Sequence, residues 1–69
     1  MERKRYNRII EVLEEKGQNI YWLQIQLNRN IPDVVRWCKN VKQPTIEELS
    51  EIAKVLDVDI KDLLVSTKQ

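Results

Sequence analysis

Histidine is absent from this 69-residue chain, and cysteine and glycine each occur once. Without histidine the chain lacks the most common general base and the most common metal ligand of proteins. The single cysteine, Cys38, can form neither an intramolecular disulfide nor a cysteine zinc cluster, and a free thiol is typical of the reducing cytoplasm. The short chain also leaves little room for an enclosed active site. We therefore expect no enzymatic activity, no catalytic residue, no metal, no cofactor and no small-molecule substrate.

Long apolar runs and turn-forming residues are also scarce. No stretch approaches the roughly 20 apolar residues of a membrane-spanning helix, and no apolar segment follows the basic N-terminal residues, as it would in a signal peptide. One glycine and two prolines argue against disorder and against an all-β chain rich in tight turns. With 42% hydrophobic and 33% charged residues, the sequence predicts a single cytoplasmic domain over residues 1–69 that has no membrane partner.

Charge is distributed unevenly along the chain, although the net charge is only +1. Residues 1–8 carry four basic residues and one acidic residue, and residues 29–42 have the same balance. Residues 43–62 carry six acidic residues and two basic ones. The chain is therefore not the strongly basic domain that phosphate binding alone predicts, but it contains two local clusters of positive charge.

Apolar residues at helical spacing predict five short helices, of which the first three lie in the N-terminal half. The first helix covers residues 6–16 and ends at Gly17, which suits a left-handed position after a helix. The second and third cover residues 19–27 and 30–39, and each begins with an asparagine that can cap its N-terminus.

The C-terminal half holds the other two predicted helices. Residues 45–48, Thr-Ile-Glu-Glu, match the capping-box pattern and open the fourth helix. Asp59 is the predicted cap of a short fifth helix. Residues 66–69 are predicted to form a frayed tail.

The second and third predicted helices, joined by a three-residue turn, form a helix-turn-helix unit over about residues 19–39. From about residue 7 to residue 65 the chain resembles the DNA-binding domains of the phage lambda repressor and Cro (XRE) family. The resemblance is carried by Lys16, Gly17, Trp22, Leu23, Leu27, Val34, Arg36, Trp37, Gln43, Pro44, Glu48, Leu49, residues 52–59, Leu63 and Leu64. It implies an all-α, five-helix lambda-repressor-like fold that binds operator DNA as a dimer, with the third helix in the major groove.

Several positions depart from this family's pattern on the side that would face DNA. Ile20 stands where the family usually has a glutamine that contacts phosphate, Gln24 replaces a small alanine, and Asn28 replaces the glycine of the turn. The third helix begins Asn-Ile-Pro-Asp-Val-Val (residues 30–35), where the family usually has polar base-reading side chains. Isoleucine and valine cannot hydrogen-bond to guanine or adenine, and Asp33 would repel phosphate.

Helical geometry gathers these departures on one side of the unit. Leu23 and Leu27 mark the inner face of the second helix, so Tyr21 and Ile25 are predicted to point outward. We therefore expect an engineered or diverged scaffold whose DNA-reading face has become an apolar protein-binding surface. Its partner would be another protein or a second copy, bound through helices two and three, and DNA binding would be weak. The residues of this expected surface are Ile20, Tyr21, Gln24, Ile25, Asn28, Ile31, Pro32 and Val35.

The alternative is a sequence-specific DNA-binding repressor of the same family with an unusual operator. Asn30 would read a base in that case. Ile20 and Ile31 fit a position at the edge of the core as well as a position on a contact surface. The candidate DNA-binding residues of this alternative are Arg29, Asn30, Arg36, Lys39 and Lys42.

Overall fold

The computed structural model describes residues 4–66, which fold into four α-helices followed by one short 3-10 helix. Residues 1–3 and 67–69 lie outside the described residues, and with them lie Arg3 of the N-terminal basic cluster and most of the predicted frayed tail. No helix of the described part is long and apolar enough to cross a membrane. The elements are α1 (Ile9–Glu15), α2 (Ile20–Leu27), α3 (Ile31–Cys38), α4 (Ile46–Leu56) and the 3-10 helix (Ile60–Leu63).

The prediction of a fifth α-helix is wrong, because the last element winds as a 3-10 helix. Leu64 follows it in an extended conformation and pairs with Asn7 in an isolated antiparallel bridge. The backbone N–H of Arg8 donates to Leu63 O at 2.8 Å, and the N–H of Val65 donates to Tyr6 O at 2.9 Å. This pairing also explains why α1 begins at residue 9 and not at residue 6, since the backbone before it is engaged with the C-terminal segment.

The predicted caps of the first two helices are confirmed. Gly17 has a φ of 69°, and the N–H groups of Gly17 and Gln18 donate to Glu14 O and Leu13 O at 3.0 and 2.8 Å. These two bonds form a Schellman motif at the end of α1. The side chain of Asn19 accepts from Trp22 N at 2.9 Å at the start of α2.

The start of α4 is fixed by the predicted capping box. Thr45 Oγ1 accepts from the backbone N–H of Glu48 at 3.1 Å, and Glu48 Oε1 accepts from the N–H of Thr45 at 2.8 Å. The two bonds satisfy N–H groups that have no partner within the helix.

The core draws on every element, so α2 and α3 are held against the rest of the molecule through buried apolar side chains. Trp37 and Cys38 are buried at the end of α3, as the sequence predicted. The buried apolar residues are Ile9, Val12, Leu13, Leu23, Val34, Trp37, Cys38, Leu49, Ile52, Ala53, Leu56 and Leu63.

Burial raises the pKa of the Cys38 thiol from 9.0 to about 11. Because the thiolate is the reactive form, the thiolate fraction at pH 8 is about a hundredfold smaller in the folded protein than at the ordinary pKa. We expect Ellman's reagent to modify Cys38 at pH 8 at least tenfold more slowly in the native protein than in 6 M guanidinium, as followed by absorbance. Equal rates in the two solvents would contradict the buried position.

A buried polar network joins the segment before α1 to the segment after α3. Asn40 has a φ of 59°, and its Oδ1 accepts from the backbone N–H groups of Tyr6 and Asn7 at 2.8 and 3.0 Å. The Asn7 side chain donates from Nδ2 to Trp37 O at 2.9 Å and to Gln43 Oε1 at 2.8 Å. The end of α3 is thereby anchored by hydrogen bonds as well as by apolar contacts.

Candidate nucleic-acid interface

The turn between α2 and α3 is built by two of the residues that depart from the family pattern. Asn28 ends α2 with a φ of 54°, a left-handed conformation that asparagine tolerates better than most residues other than glycine. Gln24 Nε2 donates to Arg29 O at 2.8 Å, so its longer side chain spans the turn. Ile20 is partly buried and packs against the core. Gln24, Asn28 and Ile20 thus have structural roles in this unit.

The outer face of α2 lies where helical phase placed it. Tyr21 and Ile25 are 68% and 67% exposed, while Leu23 is fully buried. The predicted orientation of α2 is therefore confirmed, although exposure alone does not tell which partner the surface takes.

The outer face of α3 carries both apolar and cationic side chains. Val34, Trp37 and Cys38 are buried on the inner face, which places Pro32 and Arg36 about 160–200° away from Val34 on the opposite side. Both of these residues are exposed.

Two further apolar residues flank the outer face of α3. Ile31 and Val35 are half-buried, because they lie between the inner face of α3 and the outer face that carries Pro32 and Arg36. The first turn of α3 therefore presents the hydrocarbon of Ile31 and Pro32 together with the carboxylate of Asp33, whose side chain is 36% exposed.

Arg29, a candidate DNA contact, is held by neighbouring side chains. Its guanidinium lies 3.0 Å from Glu48 Oε2 and 3.9 Å from Glu51 Oε2, and 5.9 Å from the ring centroid of Trp37. Glu48 is only 19% exposed, so water screens this ion pair less than a fully exposed one. Arg29 therefore ties the turn to the start of α4, and its charge is largely compensated.

Asn30 and Arg36 both contact Asp33, which lies in the first turn of α3. Asn30 Oδ1 accepts from the backbone N–H of Asp33 at 3.1 Å, so the oxygen of the predicted base reader serves as the N-cap of α3. Arg36 Nη1 lies 3.4 Å from Asp33 Oδ1. This exposed i, i+3 pair is weak, and it reduces the repulsion that Asp33 alone would exert on phosphate.

Lys39 and Lys42 are exposed cations beyond the end of α3, and within residues 4–66 neither has a carboxylate partner. The loop that carries them is fixed to α3, since the N–H groups of Val41 and Lys42 donate to Arg36 O at 2.9 and 3.3 Å. Asn40 adds a left-handed turn between the two lysines. The loop therefore holds two uncompensated positive charges close to Arg36.

The N-terminal basic cluster differs from this arrangement. Arg5 pairs with Glu11, and Arg8 Nη2 lies 3.1 Å from Glu15 Oε2. The acidic residues of α1 thus compensate two cations of the N-terminal basic cluster. Arg5 and Arg8 therefore differ from Lys39 and Lys42, which have no such partner within residues 4–66.

Two residues that shape the interface were missed as such in the sequence. The sequence predicts Gln24 on a contact surface, whereas in the structure its side chain spans the turn. The signal for this role in the sequence is that a long amide replaces a small residue four positions before the turn. Asn40 was not singled out, although an asparagine just after a helix is a recognised sign of a left-handed position.

Comparison with known proteins identifies the family. The model of the Cro/C1-type helix-turn-helix DNA-binding domain matches residues 8–69. The crystal structure of a candidate DNA-binding protein from Bacteroides fragilis is similar to this chain with a TM-score of 0.84 and 35% identity, over 90% of this chain and 100% of that one. The comparison with curated proteins gave no match.

The expectation of an engineered or diverged scaffold that binds protein in place of DNA is wrong. The family match runs through the whole helix-turn-helix unit, and the similar structure is described as DNA-binding, which favours the alternative hypothesis of a DNA-binding regulator. The unusual residues Ile20, Gln24 and Asn28 are accommodated within the fold of this family. The chain belongs to the Cro/C1-type helix-turn-helix DNA-binding family.

Proposed function

We propose that residues 1–69 form one helix-turn-helix domain of a sequence-specific transcriptional regulator, without enzymatic activity, that places α3 in the major groove of DNA. The observation that supports this proposal best is the group of exposed cations Arg36, Lys39 and Lys42 on the outer side of α3 and in the loop that follows. Since α3 is eight residues long and fixed by its buried inner face, it can present its outer face to a groove as a rigid unit.

Four basic residues have three different proposed roles at this surface. Arg36 projects from the outer face of α3, where a guanidinium can donate two hydrogen bonds to guanine or bind a phosphate. Lys39 and Lys42 lie beyond the helix and are proposed phosphate contacts that set the register on the duplex. Arg29 is proposed as a positioning residue, because its ion pairs hold the turn against α4.

Two acidic residues of α4 are paired with Arg29 at the turn before α3. The acidic residues of α4 and the 3-10 helix follow α3 in sequence, and two of them, Glu48 and Glu51, are engaged with Arg29. Helix-turn-helix proteins of this kind bind as dimers to half-sites about 10 base pairs apart. We therefore propose a palindromic operator, two copies per site, and a cytoplasmic location where DNA is accessible.

The salt dependence of DNA binding tests this proposal. Fluorescence anisotropy with a labelled random duplex, between about 50 and 200 mM salt, should show binding at the low end that weakens steeply with salt. Each lysine that contacts a phosphate contributes about 0.9 to the slope of log K against log salt. Lys39→Ala and Lys42→Ala should each reduce the slope by about that amount and weaken binding to all sequences alike.

Lys61→Ala is the matched control. Lys61 is an exposed lysine of the 3-10 helix, an element that packs against α1 and α4. Its replacement removes the same charge and should leave the slope unchanged. No binding at 50 mM salt, or an equal effect of all three substitutions, would contradict the proposed interface.

A further inference from the structure

The first turn of α3 is the most unusual part of the proposed DNA-binding surface. Ile31 and Pro32 are its first two helical residues and Val35 follows one turn later. Pro32 is exposed and the other two are half-buried, so hydrocarbon lies where a base-reading helix enters the groove, beside the Asp33 carboxylate that is paired with Arg36. A proline in the first turn removes no helical hydrogen bond, and its rigid ring holds the apolar surface in place.

Base pairs offer one apolar group to such a surface. In the major groove, guanine, cytosine and adenine present hydrogen-bond donors and acceptors, whereas thymine adds a C5-methyl group. Apolar side chains pressed against the polar edges would strip water from them without replacing its hydrogen bonds, which is unfavourable. The methyl group is the feature that these side chains complement.

We propose that Ile31, Pro32 and Val35 determine specificity by packing against thymine C5-methyl groups in each half-site. This inference rests on the proposed DNA-binding function and adds the chemical class of base that the domain selects. Asn30 does not supply that selectivity through its oxygen, because this atom caps α3.

The spacing along α3 also predicts a neighbour for the thymine. Arg36 lies four residues after Pro32 on the same outer face, which corresponds to about 6 Å along the helix axis. Successive base pairs are about 3.4 Å apart, so the two side chains reach bases about two steps apart. The half-site is therefore expected to combine thymine with a guanine, the base that arginine reads most often.

Selection from a random duplex library, followed by sequencing, supplies the operator needed for the test. The selected half-sites should contain thymine at one or two fixed positions. Replacing each of these thymines by deoxyuridine removes only the methyl group and should weaken binding about fourfold per methyl. Where a cytosine at that position weakens binding, 5-methylcytosine should restore part of the affinity.

Truncations of the protein then assign the effect to α3. In Ile31→Ala, Pro32→Ala and Val35→Ala, the difference between thymine and deoxyuridine should shrink toward zero at the thymine that each side chain contacts, as in a double-mutant cycle. Ile25→Ala is the matched control, since it shortens an exposed apolar residue of α2, and it should keep the full difference. Thermal unfolding of each variant confirms that it is folded.

The outcomes separate the two proposals. If no duplex is bound or enriched, the proposed DNA-binding function fails, and the methyl readout fails with it. If one sequence is selected and bound equally well with thymine and deoxyuridine, the methyl readout alone is overturned. A methyl dependence that survives all three truncations would likewise overturn its assignment to these side chains.

Discussion

Leu23→Ala is expected to destabilise the domain by about 2–5 kcal/mol, because the truncation leaves a cavity in a fully enclosed part of the core. Leu23 has no exposed surface, and it lies in α2, which packs against both α3 and α4. A domain of this size is stable by only a few kcal/mol, so a large fraction of the variant should be unfolded at 37 °C. Urea unfolding followed by the fluorescence of Trp22 and Trp37 measures the loss.

Ile25→Ala is the control for this prediction, since it shortens a side chain of the same size in the same helix. Ile25 is 67% exposed, and its truncation should change the free energy of unfolding by less than about 0.5 kcal/mol. DNA binding by Leu23→Ala should fall in parallel with the folded fraction, because α3 is positioned through α2. Equal destabilisation by the two substitutions would contradict the orientation of α2.

The orientation of each helix could be predicted from the sequence because burial follows the helical period. The spacing of Leu23 and Leu27 was enough to place Tyr21 and Ile25 on the outside. The helix caps could also be predicted, since Asn19 and Thr45 act through hydrogen bonds to residues only three positions away.

Contacts between distant residues could not be predicted in this way. The pairing of Asn7 with Leu64 ends the 3-10 helix and moves the start of α1 to residue 9. No local sequence pattern predicts this pairing. The ion pairs of Arg29 with Glu48 and Glu51 join the turn to α4, so a residue that the sequence offers as a free cation is compensated in the fold.

The class of partner could not be predicted from the sequence for a different reason. The exposed apolar residues of α2 and α3 were located correctly at Tyr21, Ile25 and Pro32, but an apolar surface is complementary to a protein and also to the methyl groups of thymine. Local composition therefore fixes the character of the surface and leaves the class of partner open. The family match favours DNA as the partner of the domain.

Asn40→Ala is expected to destabilise the domain by about 3 kcal/mol, through two separate effects. Asn40 is 6% exposed, and its Oδ1 accepts from Tyr6 N, Asn7 N and Gln43 Nε2 at 2.8, 3.0 and 3.2 Å. Alanine leaves these donors without the acceptor, at a cost of about 1–3 kcal/mol. It must also adopt the φ of 59° that Asn40 has, and alanine lacks the polar side chain by which asparagine tolerates a left-handed conformation, which costs most other residues with a Cβ about 1–2 kcal/mol.

Asn40→Gly separates the two effects. Glycine removes the same hydrogen bonds but adopts the left-handed conformation freely, so it should be more stable than Asn40→Ala by about 1 kcal/mol and still less stable than the unmodified protein. Urea unfolding of the three proteins gives both differences. Since the Asn40 side chain anchors the loop between Lys39 and Lys42, the folded fraction of Asn40→Gly should also bind DNA more weakly, because the loop is then held only by the backbone bonds of Val41 and Lys42 to Arg36 O. A glycine variant as stable as the unmodified protein would show that the buried amide contributes nothing, and one less stable than the alanine variant would contradict the left-handed backbone at this position.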